Sequence, residues 1–329
     1  MVRAVQLHPS PPWRTYSLTL HRDFEANMGP LVLGILPSVI ARTADQARKR
    51  VQAALRPYYS AELDQRDPSA SEFVRSRTKL LRRYDLPADE LSKNEVSIML
   101  AATTNTIPTL FWYVAHVWVR PDLVSDLRAE IAPVLDAQGP AAAGSGRRTI
   151  VVDTKKLEAL CPLLSGCYRE AVRLASQIIT FRRVLKDTLI SDGRGASYLL
   201  KEGCDVMMPA KVVHRHPPTW GEDAELFDPR RFAADAGSPE VERLRKASFV
   251  PFGGGKHLCP GRHFAFAENL AVMAVLVSGF EIEGLRADRL RMRDSKMGEA
   301  AKPVEGFEGG PVVLRRRKGW EDVQWRFTV

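Results

Sequence analysis

The spacing of apolar residues along the chain predicts a protein that is mostly helical. Over Thr43–Tyr59, apolar residues recur at helical spacing between charged ones, which is typical of a surface helix. Over Val96–Val119 nearly every residue is apolar, except for the polar group Thr103–Thr106 near the middle. We predict one long interior helix here. Pro121 ends it, and a further helix covers Asp122–Leu135.

The second half of the chain mixes helices with short strands. The composition of Ala137–Arg148 is that of a loop, whereas apolar spacing predicts helices over Asp153–Ala175 and Phe264–Phe280. Short apolar runs bounded by glycine or charged turns predict strands at Thr188–Ile190, Tyr198–Leu200 and Val206–Met208. The stretch from His216 to Cys259 is predicted to be irregular. The pattern as a whole predicts a mainly α fold with small β-sheets, in one domain covering residues 1–329.

Composition and charge agree with a folded protein and narrow its partners. Hydrophobic residues make up 45% of the 329 residues and charged residues 26%, the ordinary balance of a globular chain. Lys and Arg total 48 against 39 acidic residues, so 48 − 39 gives a net charge of +9. The sequence has neither zinc-finger spacing nor an aromatic-rich RNA-binding signature, and nucleic acid is not expected as a partner.

The four cysteines and the apolar runs also limit the location of the protein. Four cysteines in a chain of this length do not suggest a disulfide scaffold, so a reducing compartment is expected. The first thirty or so residues lack the layout of a signal peptide. The apolar run Met28–Ala41 is interrupted by Pro37 and is shorter than the roughly 20 residues that span a bilayer. We predict no transmembrane segment in the given chain.

The sharpest chemical feature is the loop Phe252–Arg262, which reads FGGGKHLCPGR. Its glycines allow backbone to approach a flat, bulky group closely, and Phe252 could pack on such a group. Pro260 suits the first position of a helix, whose N–H groups and dipole would stabilise a thiolate at Cys259. His257 and Arg262 could meet acidic groups at the rim. These features suit a haem iron held by a cysteine thiolate, and the alternative is a buried structural cysteine beside a flexible loop.

This loop resembles the haem-cysteine signature of the cytochrome P450 family, Phe-x-x-Gly-x-Arg-x-Cys-x-Gly. Phe252, Gly255, Cys259 and Gly261 fall on its fixed positions, and His257 stands where most members have Arg, as in the prostacyclin-synthase group. The resemblance implies a P450 fold with haem b as cofactor and Cys259 as the iron ligand. It also implies that Gly255 and Gly261 belong to the cofactor-binding loop.

Three further positions resemble P450 motifs. Glu170 and Arg173 match the Glu-x-x-Arg helix motif, and they alone among five such pairs lie in a long apolar helix well before Cys259. Arg231 in the segment FDPRRF matches the Phe-x-Pro-x-Arg-Phe motif. The resemblance implies a buried structural triad in which both arginines share one carboxylate. It also implies that Arg182, or its neighbour Arg183, contacts a haem propionate.

The polar group in the long helix resembles the oxygen-side motif of the family. Thr106 matches its threonine, whereas Asn105 replaces the acid and Thr103 replaces the glycine. The following residues, from Ile107 to Trp112, are similar to those of the sterol 7-alpha-hydroxylase and prostacyclin-synthase branch. The resemblance assigns Thr106 and Asn105 to proton handling. Asn105 can orient water but cannot act as a carboxylic acid, which keeps a P450-fold isomerase that rearranges a peroxide in play.

The family resemblance implies a monooxygenase that inserts one atom of O2 into an apolar small molecule, which could be steroid-like, a lipid or a secondary metabolite. Electrons would come from NADPH through a separate flavin-containing reductase. The Cys-Pro-Gly-Arg loop is similar to that of fungal members.

The resemblance also implies that the N-terminal part of the fold is missing, including its membrane anchor and an early helix whose Trp and Arg contact the haem. Trp13 and Arg14 are the early Trp-Arg pair in this chain. Such an anchor would place the protein at the endoplasmic reticulum membrane. Besides the isomerase, two alternatives stay open. The first is a non-catalytic P450 remnant, and the second is a metal-binding protein that uses His214, His216 and Cys204.

Overall fold

The structure is a computed structural model, which describes residues 24, 27, 29–32, 34–136, 148–193, 195–233, 237–286, 289–295, 299–303 and 312–328. The chain forms two compact units, residues 1–104 and 105–329. The predictions for Trp13, Arg14, Met28 and the loop 137–147 lie outside the described residues. Within the described ranges, no helix is both long and apolar enough to cross a membrane.

The first unit is helical in its described part. Its longer helices are α1 (Arg42–Ser60), α2 (Glu72–Arg82) and α3 (Ala88–Thr103), and single helical turns cover Gly29–Val32, Pro37–Ile40 and Leu63–Arg66. The helix predicted over Thr43–Tyr59 is confirmed as α1. Its apolar face packs into a small core with Val96 of α3. Ser71 caps α2 by accepting a hydrogen bond from the N–H of Val74 at 3.3 Å.

The second unit holds the larger core. Its longer helices are α4 (Thr106–Trp118), α5 (Pro121–Asp136), α6 (Thr154–Leu160), α7 (Pro162–Ala175), α8 (Pro239–Ser248) and α9 (Arg262–Gly279). Short helices cover Ala210–Val213 and Pro217–Trp220, and 3₁₀ turns cover Pro229–Phe232 and Gly255–His257. Leu127, Leu164 and Leu270, from α5, α7 and α9, lie fully buried in one cluster. The helices predicted from Asp122 and from Phe264 are confirmed.

Proline divides two of the predicted helices. The helix predicted over Val96–Val119 is two helices, because α3 ends at Thr103 and α4 begins at Thr106. Pro108 has no N–H, so no helical hydrogen bond can run from it to the carbonyl of Thr104. Likewise, Pro162 separates α6 from α7 within the helix predicted over Asp153–Ala175. The prediction of single continuous helices was wrong at both places.

Small two-stranded sheets flank the helices. The strands are β1 (Thr149–Asp153), β2 (Ile179–Arg183), β3 (Thr188–Ser191), β4 (Ser197–Leu200), β5 (Asp205–Pro209), β6 (Phe280–Glu283), β7 (Met292–Arg293), β8 (Lys302–Pro303), β9 (Val313–Arg316) and β10 (Gln324–Thr328). Strands β1 and β10 pair in parallel, and the antiparallel pairs are β2 with β5, β3 with β4, β6 with β9 and β7 with β8. The three predicted strands are confirmed as β3, β4 and β5, and so is the mainly α fold class.

Two local predictions near the cysteine loop were wrong. The stretch from His216 to Cys259 is not irregular throughout, because α8 lies within it and Ser238 caps that helix. Helix α9 begins at Arg262, with Pro260 and Gly261 in the turn before it. Pro260 is therefore not the first helical residue. The loop makes one more turn before the helix starts.

Candidate functional site

The loop that carries Cys259 is closed by its own backbone. The N–H of Cys259 donates to the carbonyl oxygen of Phe252 at 3.0 Å, and that of Gly253 donates to Val250 at 3.1 Å. Gly253 and Gly255 have φ angles of +74° and +63°, a region that strongly favours glycine. These turns explain why the sequence needs glycine at both positions. They leave Cys259 partly exposed at the end of the loop.

Cys259 lies on the wall of a cavity of about 260 Å³ between the loop and β2. The other lining residues are Ile178, Ile179, Thr180, Phe181, Arg182, Phe252, Gly253, Gly254 and His257. The structure thus brings together four residues named from the sequence, Cys259, Phe252, His257 and Arg182. Sequence reasoning missed Thr180, although alternation along a strand places it on the same face as Arg182.

The residues around this cavity fit a haem. Cysteine supplies a sulfur ligand, Phe252 an apolar ring, and Arg182 and His257 supply hydrogen-bond donors for acidic groups. The glycines leave room for a flat group, because a Cβ built on Gly254 would meet no atom within 4 Å. On Gly253 its nearest neighbour would be Oγ1 of Thr180, 3.7 Å away on the opposite cavity wall.

Arg182 and Arg183 are neighbours in β2, but their side chains have different partners. Arg182 faces the loop, and its Nη2 donates to the carbonyl oxygen of Gly254 at 2.6 Å. Arg183 lies opposite Asp205 of β5 and pairs with it, with 3.0 Å between Nε and Oδ1. Of the two candidate arginines, only Arg182 lines the cavity.

Three loop residues named from the sequence, Gly255, Gly261 and Arg262, are not on the cavity wall. A Cβ built on Gly261 would lie 3.8 Å from Sγ of Cys259. Gly255 is the turn residue next to Arg182, since a Cβ there would lie 4.0 Å from Nη2. Arg262 is not on the cavity wall, because its place in the first turn of α9 brings Nη1 to 3.1 Å from the carbonyl oxygen of Cys259. The contact of Arg262 with a cofactor rim stays a prediction.

The other three cysteines differ from Cys259 in their surroundings. Cys161 and Cys167 are buried, and burial raises the pKa of both thiols, that of Cys161 to about 12. Cys204 is exposed and was considered as a metal ligand with His214 and His216. In the part of the chain that the structure describes, no group of three His, Cys, Asp or Glu side chains could hold a metal ion. The metal-binding alternative finds no support here.

Glu170, Arg173 and Arg231 form a buried charged cluster, called the Glu170 cluster below. Both carboxylate oxygens of Glu170 accept from Arg173, at 2.6 and 2.7 Å, and Oε1 also accepts from Nε of Arg231 at 3.3 Å. The backbone N–H of Asp228 adds a fourth hydrogen bond at 3.0 Å. Glu170 and Arg173 are fully buried and Arg231 is 7% exposed. These contacts join α7 to the segment Pro229–Phe232.

Gly166 allows this segment to lie close to α7. A Cβ built on it would lie 2.8 Å from the carbonyl oxygen of Pro229, which is closer than real Cβ atoms approach. Sequence reasoning missed Gly166, although a glycine inside an apolar helix signals a close backbone approach. The glycine places the carboxylate of Glu170, one helical turn further on, within reach of Arg231.

Thr106 and Asn105 lie at the start of α4 and do not line the cavity beside Cys259. Oδ1 of Asn105 accepts from the backbone N–H of Ala300 at 2.9 Å. One residue further, the carbonyl oxygen of Ala301 accepts from Nε1 of Trp112 at 2.6 Å. The side chain of Asn105 thus joins the start of α4 to the segment next to β8. The amide oxygen of Asn105, the residue that the sequence assigned to orienting water, is thus engaged by the backbone.

Comparison with known proteins gives one consistent result. A family model described as Cytochrome P450 matches residues 14–308. A cytochrome P450 monooxygenase of Gibberella zeae is 36% identical over 311 residues, which are 93% of this chain and 58% of that protein. The cytochrome P450 monooxygenase nodJ of Hypoxylon pulicicidum is 30% identical over 311 residues, or 93% of this chain and 59% of the relative.

A 25-hydroxycholesterol 7-alpha-hydroxylase of Rattus norvegicus is 27% identical over 274 residues, which are 82% of this chain and 64% of the relative. The expected similarity to P450 proteins, to fungal members and to sterol 7-alpha-hydroxylases is confirmed. The chain spans between 58% and 64% of the length of these three relatives.

Proposed function

This chain belongs to the cytochrome P450 family, and we propose that it is a haem-thiolate monooxygenase in which Cys259 ligates the iron. The observation that carries the proposal is the position of Cys259. It lies on a cavity wall with Phe252, Arg182 and His257, in a loop whose glycines leave space for a flat group. The function proposed is insertion of one oxygen atom of O2 into an apolar small molecule.

The cavity residues divide the task of holding haem b. Phe252 would pack against the flat group, and Arg182 and His257 would donate to its acidic side groups. Arg182 already donates to the loop carbonyl of Gly254, so the same side chain braces the loop and faces the cavity. The cluster of Glu170, Arg173 and Arg231 holds the segment of residues 228–232 against α7. When bound, haem supplies the redox and O2 chemistry, and a thiolate ligand favours O–O cleavage.

The oxygen-side residues are proposed to manage protons. The hydroxyl of Thr106 can donate and accept, and it is half-buried at the first residue of α4. The amide group of Asn105 is neutral and its oxygen is hydrogen-bonded to Ala300, so it cannot release a proton as a carboxylic acid would. Asn105 therefore acts by orienting water, to which its NH₂ group can donate a hydrogen bond.

Partners and substrate follow from the proposed family chemistry. Electrons come from NADPH through a flavin-containing reductase. Similarity to a relative named for hydroxylating 25-hydroxycholesterol favours a steroid-like substrate, and the fungal relatives leave a lipid or secondary metabolite as the other choices. Attachment to the endoplasmic reticulum membrane through an upstream anchor stays a prediction.

The experiment that tests the function is reconstitution with haem, a P450 reductase, NADPH and a panel of sterols. We expect one haem per chain and a product that carries one oxygen atom from ¹⁸O₂. Haem-loaded protein that consumes NADPH without labelling any product would contradict monooxygenation of sterols. Failure to hold haem would instead favour a non-catalytic remnant.

One specific observation favours a second function: the amide oxygen of Asn105 already accepts a hydrogen bond from the backbone N–H of Ala300. Without an acid at this position, the site also suits an isomerase that rearranges a peroxide and needs no reductase. Incubating the haem-loaded protein with lipid hydroperoxides and endoperoxides, without NADPH, separates the two. Isomeric products formed at high turnover would favour the isomerase, and no conversion would exclude these substrates for it.

A further inference from the structure

We propose that His214 is a positioning residue that couples the buried Glu170 cluster to the loop carrying Cys259. The inference rests on the proposed function, because it concerns how the thiolate ligand is held. The sequence suggested His214 only as a metal ligand in one alternative. In the structure its side chain is fully buried.

The two ring nitrogens of His214 bond to two different parts of the site. Nδ1 lies 3.0 Å from the carbonyl oxygen of Arg173, and Nε2 lies 3.0 Å from the backbone nitrogen of Val250. A carbonyl can only accept and a backbone N–H can only donate. Nδ1 must therefore carry the proton, and Nε2 must accept from Val250. The ring is a bridge with one donor and one acceptor.

Both ends of this bridge lead to groups already placed in the site. At one end, the guanidinium of Arg173 is held by Glu170, and Nη1 donates back to the carbonyl oxygen of His214. At the other end, Val250 accepts from the N–H of Gly253, which lines the cavity. Two residues after Val250, the carbonyl oxygen of Phe252 accepts from the N–H of Cys259. Hydrogen bonds thus link α7 to the start of the cysteine loop through one imidazole.

Packing holds the ring in this orientation. It stacks on Phe249 with a centroid distance of 5.7 Å and meets Trp220 edge-on at 6.3 Å. The charged groups that act on it are the guanidiniums of Arg173 and Arg215. Burial, with a smaller contribution from these cations, lowers the pKa of His214 to about 4. The imidazole is neutral at pH 7, which is the only form with one donor and one acceptor.

Atom-specific substitutions test this bridge. In His214→Gln the amide group reaches the place of Nε2 and can accept from Val250. In His214→Asn the amide group reaches only the place of Nδ1, so the bond to Arg173 can survive while that to Val250 is lost. His214→Phe keeps a ring for packing and loses both bonds. His216→Gln is the matched control, because the ring of His216 bonds to the hydroxyl of Thr219 within its own turn.

The measurement is the reduced carbon-monoxide difference spectrum of each haem-loaded protein, which separates thiolate-bound haem from other forms. We expect His214→Gln and His216→Gln to keep the wild-type proportion of thiolate-bound haem within about twofold. His214→Asn and His214→Phe should bind haem but lower the ratio of thiolate-bound to other haem about tenfold. Thermal unfolding of the haem-free proteins is measured in parallel and shows whether each variant folds.

The remaining outcomes overturn the inference. It falls if all His214 variants keep the wild-type ratio, or if His214→Gln loses as much as His214→Phe. It also falls if His214→Asn and His214→Phe fail to fold, since His214 would then be needed for the fold rather than for the ligand. A wild-type protein that binds haem without the thiolate spectrum would overturn the proposed function itself, and the inference with it.

Discussion

Oε1 of Glu170 lies 3.3 Å from Nε of Arg231, although the two residues are 61 positions apart in the chain. The same carboxylate holds the guanidinium of Arg173, so one buried negative charge faces two buried positive charges. The second cation is balanced further by Asp223, whose Oδ2 lies 2.7 Å from Nη2 of Arg231. The contact between Glu170 and Arg231 fastens the segment Pro229–Phe232 to α7.

Replacing Glu170 by Ala should therefore be strongly destabilising. Two buried guanidiniums would lose their shared partner, a change that typically costs about 3–5 kcal/mol. Urea unfolding followed by circular dichroism measures the loss. The matched control is Glu72→Ala, because Glu72 also begins a Glu-x-x-Arg pair but hydrogen-bonds to Ser76 at the exposed surface. We expect that variant to stay within about 0.5 kcal/mol of wild type, and equal losses in both variants would contradict this account.

Arg182 and Arg183 should differ in their effect on haem retention. Arg182→Met removes a donor that faces the cavity and the bond to Gly254, whereas Arg183→Met breaks an exposed pair with Asp205. A lost charge-assisted hydrogen bond is worth about 1.5–3 kcal/mol, so haem transfer to apomyoglobin should be at least about tenfold faster in Arg182→Met. Arg183→Met should transfer haem at the wild-type rate. The reverse order would move the cofactor contact to Arg183.

Thr106→Ala tests proton handling without disturbing the cysteine loop, because Thr106 does not line that cavity. We expect haem binding to stay unchanged and more of the NADPH consumed to appear as hydrogen peroxide, since a hydroxyl that guides protons is lost. Peroxide formed per NADPH is measured with a P450 reductase. Thr106→Ser, which keeps the hydroxyl, should behave as wild type. Equal peroxide yields in all three proteins would favour the isomerase chemistry.

Stability should fall as the solution becomes mildly acidic. Burial lowers the pKa of His214 to about 4, against an ordinary value of 6.5. Between these values the unfolded chain binds a proton that the folded chain does not, so the stabilisation is fully present above pH 6.5 and is lost as pH falls toward 4. The loss from this residue is on the order of 3 kcal/mol. Burial lowers the pKa of His116 to about 4 as well, with the same sign.

Urea unfolding at a series of pH values measures this effect. His214→Gln should make the free energy of unfolding less dependent on pH between 4 and 6.5, by up to about 1.4 kcal/mol per pH unit. His216→Gln should leave the pH dependence as it is in wild type. A pH dependence that His214→Gln does not change would show that His214 is not the buried neutral histidine described above.

Local patterns predicted those parts of the protein whose structure is set locally. The glycine loop, the strands β3, β4 and β5, and the helix after Cys259 were all found from adjacent residues. Pro162 could have predicted the break between α6 and α7, because a proline inside a helix removes a backbone donor. The choice between Arg182 and Arg183 needed the register of β2 on β5, which places Arg183 opposite Asp205.

Contacts between distant segments could not be predicted from one sequence. Asn105 was found as a polar residue in an apolar helix, yet its partner Ala300 is 195 residues away and contributes only a backbone N–H. His214 was visible as a histidine after two valines, but its bridge needs the carbonyl of Arg173 and the N–H of Val250 in one place. Any residue type except proline could donate that N–H, so the sequence carries no signal for such a partner.

The most direct test of the central claim is the reduced carbon-monoxide difference spectrum of wild type, Cys259→Ala and Cys204→Ala. Cys259 is the cysteine on the cavity wall, and Cys204 is the exposed cysteine used as control. We predict the spectrum of thiolate-bound haem in wild type and Cys204→Ala, and its complete loss in Cys259→Ala. A thiolate spectrum that persists in Cys259→Ala would contradict the assignment of the iron ligand and the site built around it.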